Sequence, residues 1–279
     1  MGDVQTAQGT LLGTNKFGTD DADGTYLFTP PQAGRHTVDA QLFHLFNWNL
    51  QNRSGATALV GLGVHFNPRD WVAGLWTDST TTYTDDTVDA QDAGTSDFPL
   101  ETRVLNNDGH VVAAVRPFNL IGYSIGTAGL NTPTTAVTRD LAYSAPTGWT
   151  TIAGYWVGPP TGVATWSTGE RAVCFPMPPD FTPLTVALHG TGVPEGKYGV
   201  RMRATTAPTQ AAAATQVVVG RIVDALEGVA DNGSFTKGSD QPYICQGANL
   251  AMLVSADTDA ANAANAAGSH GVISFRLQG

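Results

Sequence analysis

The sharpest chemical pattern in the chain is Gly122-Tyr123-Ser124-Ile125-Gly126, which matches the G-x-S-x-G turn of serine hydrolases. Asp180 or Asp224, and then His270, follow in the chain order such an enzyme uses. The chemistry needs the serine on a sharp strand-to-helix turn, where backbone N–H groups can hold an oxyanion. The residues that follow, Thr127-Ala128-Gly129-Leu130-Asn131-Thr132-Pro133, cannot build that helix. Ser124 therefore reads as part of a strand ending in a glycine turn, and no enzyme is expected.

Two acidic stretches offer the oxygens a hard cation needs. In Asp20-Asp21-Ala22-Asp23-Gly24 the calcium candidates are Asp21 and Asp23, but no glutamate follows at EF-hand distance and no helix flanks the loop. Asp86 and Asp89, beside Asp85 and Asp92, form the second stretch. Both read as solvated turns, with calcium as the alternative, and no cofactor is expected. The histidines (His36, His44, His65, His110, His189, His270) are dispersed and lack zinc spacing. His44 and His65 sit within apolar runs, as a core or interface histidine does. The glutamates, Glu101, Glu170, Glu195 and Glu227, fall in no glycosidase pattern.

The tryptophans carry a different chemistry. Trp71 and Trp76, with Asp70 beside them, have the residue types that stack on sugar rings and bind their hydroxyls. A core or subunit-interface role is the competing reading, and Trp48 in its alternating run shares both readings.

These residues must be held by something other than long helices. The chain has 279 residues with 32 Gly, 16 Pro and 14% charged residues, and its β-branched and aromatic runs are short and separated by turn formers. That pattern reads as all-β, with a sandwich or barrel architecture. The net charge of −10 and the scatter of the 14 Lys and Arg argue against nucleic acid. No apolar run reaches the ~20 residues that cross a bilayer, so no membrane association is expected. Met1–Thr10 has neither a basic nor an apolar signal region, so synthesis in a cytoplasm without a signal peptide is expected. Cys174 and Cys245 then read as two buried, reduced thiols.

Strands are expected at Tyr26–Phe28, His36–Leu50, Ala58–Phe66 and Trp71–Thr77, with a long irregular loop over 78–98. In the second of these, Leu42, His44, Phe46 and Trp48 alternate onto one face. Asn106-Asn107-Asp108-Gly109 is a hairpin signal between Glu101–Leu105 and His110–Val115. Gly158-Pro159-Pro160-Thr161-Gly162 reads as a link. The strands expected beyond it are Arg171–Phe175, Leu184–His189, Tyr198–Ala204, Gln216–Leu226, Tyr243–Ala256 and Gly271–Leu277. Arg221–Val229 has the apolar spacing of a short helix, which Gly220 and Gly228 oppose. The expected layout is an arm over 1–24 and two β-sandwich domains, jelly-roll or Ig-like, over 25–160 and 161–279.

Within this frame the turn before His110, then Pro117-Phe118-Asn119 and the later Tyr143 and Trp149-Thr150, resemble β-sandwich modules of bacteriophage virion and fibre proteins. The likeness spans about residues 104–152, and Pro183–Arg203 is similar to the strand–turn–strand of Ig-like sandwiches. The resemblance implies a virion structural protein: a capsid-decorating, spike or fibre-type component without catalysis. It implies a symmetric oligomer, expected as a trimer, in contact with other virion proteins. A single-jelly-roll capsid protein is the close variant. A carbohydrate-binding module, meeting a host-surface glycan, is the alternative from another class.

Overall fold

The computed structural model describes residues 4–10, 25–28, 41–51, 58–66, 68–92, 98–101, 107–127, 138–155, 166, 169–206, 211–229, 234–245, 250–256 and 270–278. The class is all-β, and the described residues include two short α-helices, α1 (Thr87–Gln91) and α2 (Val186–His189). No described helix is long and apolar enough to cross a membrane.

The chain divides into two compact units, but not where composition places the boundary. Pro68–Val219 forms an inner unit, inserted between the two halves of an outer unit made of Met1–Asn67 and Gly220–Gly279. The expected border near 160 is thereby replaced by borders at 67/68 and 219/220. The physical reason is strand pairing, which joins segments far apart in sequence and which local composition does not report. The Gly158–Gly162 link lies outside the described residues.

In the outer unit, β1 (Val4–Thr10), β17 (His270–Gln278), β3 (Gln41–Gln51) and β15 (Ser234–Cys245) form one antiparallel sheet in that order. Part of the expected N-terminal arm is thus an edge strand, with Val4 opposite Arg276. The ladder along β3 is interrupted: both neighbours shift register where Leu45 and Asn47 flank Phe46. A second set of strands pairs β4 (Ala58–His65) with β16 (Leu250–Ala256), which also pairs β2 (Thr25–Phe28). The other neighbour of β4 is the distal part of β14 (Ala213–Val229). Arg221–Val229 is therefore strand, not helix. Two register irregularities in this stretch let apolar residues at helix-like spacing remain in a β ladder.

The inner unit is built on a six-stranded antiparallel sheet. Its members, from one edge to the other, are β11 (Gly148–Thr151), β10 (Arg139–Ala145), β13 (Tyr198–Ala204), β8 (Gly109–Ala114), β5 (Trp71–Thr77) and β6 (Thr82–Asp85). Beside it β12 (Gly169–Cys174) pairs β9 (Leu120–Thr127), which adjoins the proximal part of β14, and β7 (Phe98–Pro99) pairs that same part. Of the expected 101–105/110–115 hairpin, the second arm is β8, which has β5 on one side and β13 on the other, while 102–105 lie outside the described residues. The turn residues tie onto the end of β13: the Asn107 N–H donates to the Ala204 carbonyl and the Ala204 N–H to that of Asp108. Asn107 takes the left-handed backbone its residue type tolerates, with φ 70°.

The segment expected as a strand at Leu184–His189 holds α2 instead, closed by the His189 N–H on the Thr185 carbonyl. The 78–98 loop is also more ordered than its composition predicts: it contains a 3-10 turn (Asp78–Thr80), β6, α1 and β7. Side-chain hydrogen bonds drive this local order. Asp85 accepts from both the N–H and the hydroxyl of Thr87, and the Thr87 hydroxyl oxygen in turn accepts from the Ala73 N–H on β5.

Strand alternation sorts the six-stranded sheet into two faces. His110, Met202 and Leu141 share one row across β8, β13 and β10. That face meets the neighbouring strands through His110, whose Nε2 pairs with the Tyr123 hydroxyl of β9 at 2.9 Å. The other face carries the row Tyr83, Trp76, Gly109, Arg203, Asp140. Trp76, Tyr83, Val111 and Ala113 pack there against Leu184 and Val193, from the segment that contains α2.

Candidate functional site

The residues expected to stack on sugar are not available to it. Trp71 is 3% exposed and Trp76 is 2% exposed. Trp76 belongs to the packed cluster on the second sheet face, and its indole N–H donates to Asp78 at 3.3 Å. Asp70 forms an ion pair with Arg116 at 2.7 Å. The correction has a simple cause. Trp71 and Trp76 both lie on β5, a strand with partners on either side, where ring area is most valuable in the core.

Ser124 sits inside β9, opposite Glu170 on β12 and between buried Tyr123 and Ile125. Its carbonyl accepts from the Thr215 hydroxyl at 3.1 Å. This is strand geometry rather than a strand-to-helix turn. Asp180 is likewise engaged, accepting from the Tyr143 hydroxyl at 2.7 Å. Asp86 flanks α1 and Asp89 lies within it. Among the described residues no three His, Cys, Asp or Glu side chains gather as metal ligands. Asp21 and Asp23, and the side chains of Trp48, His44, His65 and Cys245, lie outside the described residues.

What the inner unit does present is an open pocket of about 280 Å³ above the second sheet face. Its floor holds Trp76, Trp149 and Arg201, from β5, β11 and β13, and its wall is α2 with the turn that follows. The two indoles meet edge-on, with centroids 5.9 Å apart and planes at 73°. The Arg201 guanidinium lies in the angle between them, 4.9 Å from the Trp76 ring and 4.8 Å from the Trp149 ring. Such faces attract a cation through the ring quadrupole.

The wall is fixed by backbone chemistry. The Trp149 indole N–H donates to the His189 carbonyl at 2.9 Å, and its ring stands edge-on to the His189 imidazole. The backbone of Thr191 exchanges hydrogen bonds with Thr81 and Tyr83 along β6. Between them Gly190 has φ +111°, and a Cβ there would stand 2.4 Å from the Thr81 carbonyl oxygen and 2.8 Å from the Trp76 ring. Only glycine fits.

The electrostatics of the two neighbouring arginines differ. Arg203 has ion pairs to Asp78 at 2.7 Å and Asp140 at 2.8 Å. Burial disfavours its charge, yet those two carboxylates hold its pKa above the ordinary value. Arg201, 7% exposed, has no ion pair among the described residues, and its buried Nε finds no hydrogen-bond partner there. Burial, with the charge of Arg203 added, lowers its pKa to about 10, while Asp140 and Asp78 act the other way; it stays charged at neutral pH. His189 is pushed toward neutrality by burial above all and by the Arg201 charge, against the carbonyls of Thr185 and Ala145.

Sequence reasoning missed Trp149, His189 and Arg201 as a group. Alternation in Tyr198–Ala204 does place Arg201 and Arg203 on one strand face against Val200 and Met202. What covers that face is set by strands and a helix from elsewhere in the chain.

No protein-family model matches this chain, and no curated protein matches it. Among solved structures, that of the infectious bursal disease virus Gx strain aligns over 99% of this chain and 76% of its own, at 8% identity and a TM-score of 0.12. The crystal structure of the infectious bursal disease virus VP2 subviral particle aligns over the same shares at 10% identity and a TM-score of 0.11. At such TM-scores the likeness carries no argument about fold or function.

Proposed function

We propose that this chain is a non-catalytic structural component of a virus particle, of the capsid-decorating, spike or fibre type, with β-sandwich units of jelly-roll or Ig-like kind. It acts by assembly, as a symmetric trimer in contact with other virion proteins. The observation that carries the reading is how the inner unit uses its buried polar groups. Arg139 with Glu101, His110 with Tyr123, and the Ser144 hydroxyl with the Thr182 carbonyl each join separate segments as fixed braces. A scaffold of antiparallel sheets stiffened in this way suits a load-bearing part, and the resemblance over residues 104–152 and 183–203 points the same way.

Light scattering on the purified chain at several concentrations tests the proposal. A trimer that persists on dilution is the expected result. A monomer at every concentration overturns the spike and fibre versions, and a shell-like assembly favours the single-jelly-roll capsid variant. The second reading, binding of a host-surface glycan, gains support from the pocket at Trp149 and Arg201 rather than from Trp71 and Trp76.

A further inference from the structure

We propose that the pocket over Trp149 and Arg201 is a binding site for a sugar that carries a carboxylate. Arg201 is the reason. A buried guanidinium held for structure alone has carboxylate partners, as Arg203 does two residues away with Asp78 and Asp140, although its Nε, like that of Arg201, has no partner among the described residues. Arg201 has the two indole faces but no ion pair among the described residues; Asp140 and Asp78, which act on its charge, are paired to Arg203 instead. Its accessible edge lines the pocket, so an incoming carboxylate completes the pairing in a partly desolvated place, where a charge-assisted bond is strong.

The rest of the pocket suits a sugar ring. Trp149 is half-buried and supplies a face or edge for stacking. Thr81 and Thr191 stand exposed at the rim with hydroxyls for polar contact. Val186 and Leu188, 44% and 48% exposed, form an apolar lip on α2. The volume of about 280 Å³ lies just below the range of drug-sized sites, which suits one monosaccharide and its substituents. A chain of net charge −10 repels anions in general, so attraction of one here depends on this cation and its neighbour. The inference concerns the inner unit alone and stands or falls independently of the trimer.

The test is ligand-observed NMR and calorimetry on the full chain with N-acetylneuraminic acid and glucuronic acid, against glucose and sodium acetate. The expected result is binding of at least one acidic sugar, weaker binding of acetate and none of glucose. Preference between the two acids separates a sialylated surface glycan from a uronic-acid polysaccharide as the source. Arg201→Gln should weaken binding by about tenfold or more, the worth of a charged hydrogen bond. Because Arg201 packs between two indoles, that variant can fail to fold; Leu188→Glu, at an exposed position, sets a competing carboxylate at the same pocket. A folded Leu188→Glu protein that has lost acidic-sugar binding supports the site. No binding of either acid, equal binding of glucose or acetate, or full binding by Leu188→Glu overturns it.

Discussion

The Arg139 guanidinium grips both carboxylate oxygens of Glu101, Nε to Oε2 and Nη2 to Oε1, each at 2.9 Å. Their side chains are 1% and 2% exposed. A two-pronged pair so deeply buried is stable only while both partners remain. Glu101→Ala or Arg139→Ala should each cost about 3–5 kcal/mol, because each leaves an uncompensated buried charge. The double variant Glu101→Leu/Arg139→Met should cost less than either single one. Urea unfolding of the three proteins measures this, and equal effects for single and double variants would contradict it.

His110 sets a pH limit on the inner unit. It is held between the Leu100 carbonyl and the Tyr123 hydroxyl, and burial lowers its pKa to about 4 from 6.5, against the Leu100 carbonyl. The unfolded imidazole takes a proton near 6.5 and the folded one only near 4. Stability from this group is complete above 6.5 and falls as pH drops through that window, by about 3 kcal/mol in all. An NMR titration that finds the His110 ring protonating near 6.5 in the folded protein would refute the assignment. Tyr123→Phe orphans the His110 nitrogen and should destabilise by about 1–3 kcal/mol.

Gly190 lets the pocket wall pass close to Thr81 and Trp76. Gly190→Ala drives a methyl into the Thr81 carbonyl and the Trp76 ring at a φ that alanine avoids. The melting temperature should drop, and the environment of Trp149, whose indole is bonded next door to His189, should change in its fluorescence. An unchanged spectrum and melting point would mean the wall is held otherwise.

Cys174 is wholly buried in β12, and burial pushes its thiol pKa up, so the nucleophilic thiolate is scarce. In a Cys245→Ala background, a disulfide reagent at neutral pH should label the native protein only as fast as it opens, and label the urea-unfolded protein at once. Rapid labelling of the native state would contradict the burial.

Trp76→Ala should unfold the inner unit before it says anything about ligands, since truncating a core tryptophan costs about 3–5 kcal/mol. Circular dichroism with thermal melting checks this directly.

The all-β class was legible in the residues because strand preference and turn chemistry are local properties. Val111 to Ala114 is apolar and β-forming wherever it lies, and Asn107 favours a left-handed turn whatever follows it. The strand at Trp71–Thr77 and the strand character of Ser124 could be read for the same reason. Strand neighbours could not. Asn107 takes the left-handed backbone its residue type favours, but which strands flank β8 depends on β5 and β13, each brought there by its own packing. The inner and outer units, the burial of Trp71 and Trp76, and the pocket all follow from such pairings. Asp78 and Arg203 meet at 2.7 Å across 125 residues of chain, and Arg201 beside them reaches Trp76 and Trp149 from two other strands. Period-two alternation told which way Arg201 faces; only the assembled sheet, through contacts too distant for any local pattern to encode, decided what it faces.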